Sequence, residues 1–205
     1  MDDKAWQAAL NKAQKTSPVQ AAKNCDIEYR GDTSQGSFEL PVLGQPVRLS
    51  FPDFEATTEA GASITNVPLL TILLYHLATS NGMPVTGGWV TFSELPGGQY
   101  SQAMQKYTSD RIEGYFGSNF SELERAAAIL SGEPLGLGGD FSARFNIFPR
   151  VPIALVFWRG DEEFPEARAK FLFDENARHH LPSDCYAILC SLITTGLIDK
   201  VGVVR

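Results

Sequence analysis

Apolar residues recur at helical spacing from the start of the chain, where Trp6, Leu10 and Ala13, with Ala9 between them, share one face of a helix expected over about Asp3 to Lys15, with acids first and lysines last. Ser17-Pro18-Val19-Gln20 reads as a capping box with proline at the first helical position, so a second short helix follows and ends near Asn24. The period then changes to two. Phe38, Leu40 and Val42, then Val47, Leu49 and Phe51, alternate with polar groups around Gly44, which predicts a β-hairpin within residues 26–54. Glu55 to Ser63 is small and polar and reads as a mobile surface loop. From Asn66 to Ser80 the helical period returns with almost no polar face, so this helix is expected to be buried on most sides and to end at Asn81-Gly82 through a left-handed cap.

Further helices are expected over about Ser101 to Phe116 and Glu122 to Leu130, the second with Ser121 and Glu124 as a capping box and Gly132 as its stop. Ala143, Phe145 and Ile147 alternate as a strand, Val151 to Trp158 is apolar throughout and reads as a strand covered on both faces, and Arg168 to Phe173 is its neighbour. A last helix over about Ser183 to Thr195 places Tyr186, Leu189, Ile193 and Leu197 on one stripe and stops at Gly196. Strands come in adjacent runs, not in strict alternation with helices. The pattern therefore predicts an α+β fold: one domain over residues 1–205, a mostly antiparallel sheet packed by several helices, with an N-terminal helical arm (1–25) before the body (26–205).

Composition sharpens this in two ways. A net charge of -7 without a basic cluster disfavours nucleic acid, and 43% hydrophobic residues suffice for a sizeable core. Met1-Asp2-Asp3-Lys4 is not a secretory pattern, and the longest apolar run, Val67 to Ala78, is too short to span a bilayer. A cytoplasmic protein without a membrane segment is the expectation. Cys25, Cys185 and Cys190 read as buried thiols of a reducing compartment, since 185 and 190 point about 140° apart on a helix.

No catalytic motif emerges from the residues. No glycine is followed by the lysine of a phosphate loop, Gly136-Leu-Gly138-Gly139-Asp-Phe141 lacks the third glycine of a dinucleotide fingerprint, and Gly61-Ala-Ser63-Ile-Thr65 fails as a nucleophile elbow. His179-His180 with Cys185 has no zinc spacing, so no metal site is expected. Asp161-Glu162-Glu163 reads first as a solvated turn, although carboxylates in a run also suit a cation or acid–base work. His76 is the lone histidine on an apolar helix. Arg144, Arg150 and Asp140 bracket a strand and suit mutual pairing. His180 precedes a helix N-terminus, where a neutral imidazole is favoured. Gly87-Gly88-Trp89-Val90-Thr91-Phe92-Ser93-Glu94-Leu95-Pro96-Gly97-Gly98-Gln99-Tyr100 is a short strand between two glycine turns, with Glu94 expected to cap the loop's own amides. The ligand-binding candidates are His76, Trp89, Glu94, Tyr100, Arg144, Arg150, Asp161 and His180.

Leu74-Tyr75-His76-Leu77, that glycine-framed segment, Phe148-Pro149-Arg150-Val151-Pro152, Trp158-Arg159-Gly160-Asp161-Glu162-Glu163-Phe164-Pro165, Phe173-Asp174 and His180-Leu181-Pro182 together resemble domain-of-unknown-function family 3786, from about residue 20 onward. The resemblance implies an anaerobe's cytoplasmic protein near corrinoid or one-carbon chemistry, since some members carry an iron–sulfur segment of the kind seen in corrinoid proteins. Three scattered cysteines cannot make a four-thiolate cluster site, so any cluster would come from a partner. Neither the residues nor the resemblance names a cofactor. Three expectations follow. The first is a non-catalytic domain that holds a small ligand or docks to a partner enzyme, with His76 or His180 as the cobalt ligand in a corrinoid version. The second is an enzyme using Glu94, His76, His180 and the Asp161–Glu163 loop in one cleft. The third is a homo-oligomeric interaction protein, suggested by the aromatic content and by Trp6.

Overall fold

A computed structural model describes residues 3–203; the reading of Met1-Asp2 lies outside them. The chain forms α1 (Asp3–Gln14), α2 (Pro18–Cys25), β1 (Glu28–Gly31), β2 (Gly36–Val42), β3 (Gln45–Phe51), β4 (Ala56–Thr58) and α3 (Val67–Thr79). Then follow β5 (Trp89–Thr91), α4 (Ser101–Tyr107), α5 (Ser109–Phe116), α6 (Phe120–Ile129), β6 (Glu133–Pro134), β7 (Phe141–Phe148), β8 (Val151–Trp158), β9 (Arg168–Asp174) and α7 (Ser183–Asp199). The fold is α+β, but the strands make two antiparallel sheets where one was expected: a meander β1-β2-β3-β4, and β5-β9-β8-β7-β6. The sheets meet where the Leu43 amide donates to the Ile147 carbonyl at 3.2 Å.

Alternation explains the meander, whose Phe38, Leu40, Val47 and Leu49 face the core. In the second sheet β8 lies between β7 and β9 and is buried from Val151 to Phe157, which accounts for its unbroken apolar run. The expected N-terminal helical arm packs against the body. Ala9, Ala13, Ala21 and Ala22 are buried and α1 packs on α3, because small side chains let the two helices approach closely. No helix among the described residues is long and apolar enough to cross a membrane.

Where local signals competed with packing, packing decided. Residues 55–63 form β4, which pairs with β3, and a turn in which the Thr58 hydroxyl accepts from the Ala62 amide. α3 ends with Ser80 extended, not with a left-handed cap, and the Ser80 hydroxyl donates to the Asn24 carbonyl. The helix expected over 101–116 breaks at Thr108 (φ -128°, ψ -85°), whose hydroxyl donates back to the Met104 carbonyl at 2.7 Å. α6 starts two residues early, at Phe120, and without the Ser121 cap. α7 runs through Gly196 to a left-handed Lys200, because a side chain at 196 would press on Leu130 at about 3.0 Å: this glycine serves close packing, not termination.

Candidate ligand-binding cleft

Two helical stripes face each other across a gap. Tyr100, Ala103, Met104 and Tyr107 repeat at helical spacing along α4, and Asp184, Ala187, Ile188 and Ser191 repeat in the same way along α7. The two helices are not a closely packed pair, and no residue of α4 is fully buried. Between them lies a cleft of about 870 Å³, closed by Phe92, Pro96 and Gly97 on one side and by Thr79, Leu181 and Arg178 on the other. This is the size of a small-molecule site. Tyr100 and Tyr107 are 66% and 61% exposed, so α4 presents large aromatic groups that the protein's own core leaves uncovered.

Three of the six hydroxyl groups along the cleft are spent within the protein. Thr79 Oγ1 donates to the Tyr75 or His180 carbonyl (2.8 and 2.9 Å), Thr108 Oγ1 to that of Met104, and Ser183 Oγ to that of Pro96. The surface that the wall presents is mainly apolar, although its sequence is mixed. Its charges stand on η3 (Ala177–His179), where Arg178 Nε contacts His179 Nε2 at 3.4 Å, and on the first turn of α7, where Asp184 Oδ1 accepts from the Cys185 amide at 3.0 Å.

The glycine-framed segment builds one side of this cleft. Asp174, buried at the end of β9, accepts from the Thr86 and Gly87 amides at 2.9 Å each and fixes where the segment begins. Trp89 lies half-buried on β5 opposite Asp174, away from the cleft lining. Glu94 Oε2 accepts from the amide and hydroxyl of Thr91, both at 2.7 Å, and the Thr91 amide holds its carboxyl below the usual range. The carboxylate thus caps its own loop, as expected. Gly97 (φ +88°) then turns the chain into α4, and Tyr100 alone of the predicted candidates lines the cleft.

Three candidates are engaged elsewhere. Arg144 pairs with Glu133 at 2.5 Å, while Asp140 turns to Arg159 and Arg150 to the Gly82 and Met83 carbonyls at 3.0 Å. The expected pairing among these residues does not occur; each meets a partner brought by another element. Asp161 accepts from the Glu163 and Phe164 amides, closing the exposed β8–β9 turn. The six steps of β9, at about 3.3 Å each, separate that turn from the η3 end by roughly 20 Å. The single acid–base cleft of the second expectation is therefore not assembled.

The structure does bring His76 and His180 together. Their ring centroids are 6.1 Å apart, His76 stacks on Phe148 at 5.1 Å, and the two side chains are enclosed, with 0% and 1% exposure. Ser80 Oγ lies 2.9 Å from His180 Nδ1. Because that hydroxyl's proton is directed to the Asn24 carbonyl, the ring nitrogen is the donor, and Nε2 carries a lone pair. Neither His76 nitrogen, nor His180 Nε2, nor Arg150 Nε has a protein partner. Burial first, then His180 and Arg150, holds His76 down at about 3; burial, then Arg150 and His179, holds His180 at about 4. Cys25, whose thiol donates to the His76 carbonyl, is pushed up to about 12 by burial. Both rings are neutral structural groups behind the cleft wall, with no open face toward it. Among the described residues no cluster of His, Cys, Asp and Glu suits a metal ion.

The α7 stripe escapes sequence reading because a deeper one, Tyr186, Leu189, Ile193 and Leu197, dominates that helix. Its signal was nonetheless present: small and apolar residues at 187, 188 and 191 on a second face. With this fold and cleft, the chain belongs to the family described as domain of unknown function (DUF3786), whose model matches residues 17–195. No curated protein and no solved structure matches it.

Proposed function

We propose that this protein is a non-catalytic binding protein that holds an apolar small molecule between α4 and α7. One observation carries the reading: the stripes of α4 and α7 face each other across a cleft of about 870 Å³ whose lining surface is mainly apolar and in which Thr79, Thr108 and Ser183 spend their hydroxyl groups on backbone carbonyls. An apolar guest there covers surface that folding leaves exposed. Trp6, which suggested self-association, is instead half-buried against the protein's own core. The setting, the cytoplasm of an anaerobe near corrinoid or one-carbon metabolism, is supported by the family resemblance alone, and the enclosed His76 and His180 lend no support to cobalt ligation.

Titration with N-phenyl-1-naphthylamine, whose emission rises in apolar surroundings, tests the cleft. Saturable enhancement at one site is expected, lost in Ile188→Glu and kept in Phe164→Glu, a change at an exposed position on the distant β8–β9 turn. No saturable enhancement, or equal enhancement in Ile188→Glu, refutes the reading.

A further inference from the structure

On the other side of α4 lies a second, smaller chamber of about 390 Å³, which shares Phe92 and Met104 with the apolar cleft. Its character is the opposite. Several of its polar groups are already used: Glu113 accepts from the Ala169 amide at 2.8 Å, Arg168 pairs with Glu166, and Thr91 and Ser93 hydrogen-bond each other. Four are not. Ser101, Gln105, Ser109 and Lys170 line the chamber, and none of their side chains has a hydrogen-bond partner among the described residues. Ser109 is only 3% exposed as a residue, and its side chain lines this space. Lys170 makes no ion pair among the described residues, and the carboxylate that feels its charge, Glu94, is already held by Thr91. The unspent groups thus amount to one ammonium, two hydroxyls and an amide, a set that offers donors around a positive charge.

We propose that this chamber receives the oxyanion head, a carboxylate or phosphate, of an amphiphile whose apolar body lies between α4 and α7. The inference rests on the cleft reading above and gives its ligand a chemical class. Phe92 and Met104 stand between the two spaces, and the flexible thioether chain of Met104 is the one that turns to join them in this proposal. α4, none of whose residues is fully buried and which is bounded by Gly97 and by the break at Thr108, straddles the guest.

Displacement of bound N-phenyl-1-naphthylamine by decanoate, decyl phosphate, 1-decanol and decyltrimethylammonium tests this at neutral pH. The two anions are expected to displace the dye at concentrations about tenfold lower than the other two, the gain of one charge-assisted hydrogen bond. Lys170→Gln, a change at an exposed position, removes that preference and leaves 1-decanol unaffected. Equal displacement by all four, or a preference that survives Lys170→Gln and disappears in Arg178→Gln, overturns the assignment while the cleft stands. Failure of the dye to bind the unaltered protein overturns the cleft reading, and this inference with it.

Discussion

The enclosed histidine pair makes the stability of this protein depend on mild acid. In the unfolded chain both imidazoles take up protons near pH 6.5, whereas in the fold they stay neutral down to about 3 for His76 and about 4 for His180. Depressed folded values mean that the unfolded state binds more protons below pH 6.5, so stability is full above that pH and falls as pH drops toward the folded values. Each pH unit within that window costs about 1.4 kcal/mol per histidine. From pH 7 to pH 5 the loss is about 2 kcal/mol for each and about 4 kcal/mol for the pair, a large part of the roughly 5–15 kcal/mol that holds a domain folded. The surroundings explain why no charge is tolerated. Arg150 opposes protonation of both rings, His179 also opposes it at His180, and Asp174 offsets this only in part. Urea unfolding at pH 7, 6 and 5 measures the effect, and His76→Leu is expected to retain about half of the pH dependence while staying folded at pH 7. Stability that changes by less than about 1 kcal/mol between pH 7 and pH 5, or an unaltered slope in His76→Leu, refutes the assignment of two buried neutral imidazoles.

Other expectations follow from the same geometry. Cys25, Cys185 and Cys190 are buried, and burial pushes Cys25 and Cys185 up to about 12, so a thiol reagent at pH 8 should modify none of them until the protein unfolds; stoichiometric labelling of the native state would contradict this. Gly97→Ala forces a Cβ into the left-handed region at φ +88° and is expected to cost about 1–2 kcal/mol in thermal unfolding while weakening dye binding, because that residue sets where α4 begins. Glu94→Ala removes the bonds to Thr91 and should increase hydrogen exchange at the Thr91 amide without abolishing dye binding, since Glu94 does not line the cleft.

Much of the fold was legible from period alone. The meander, the buried strand β8 and the buried face of α7 all follow from spacing, because each depends on how neighbouring residues along one element point relative to one another. The Glu94 cap was legible for the same reason: its partner Thr91 is three residues away, within reach of a single turn. The misreadings share an opposite cause. Gly196, Thr108 and the 55–63 segment carry local signals for stop, helix and loop, and each was overruled by a neighbour or a bond that the local pattern does not contain: Leu130, the Met104 carbonyl, and the free edge of β3.

The sequence by itself determined the class of fold, most of its elements and the self-capped loop, because short-range geometry and the burial of apolar side chains depend on residues close in the chain. Only the tertiary structure decided which polar groups remain free. His76 and His180 come from segments far apart and end up sealed together, Arg144 and Arg150 find partners on other elements, and the cleft exists because α4 and α7 face each other across a gap. A binding site is a relation between surfaces, set by how elements dock, and docking is governed by contacts that no single stretch of sequence holds.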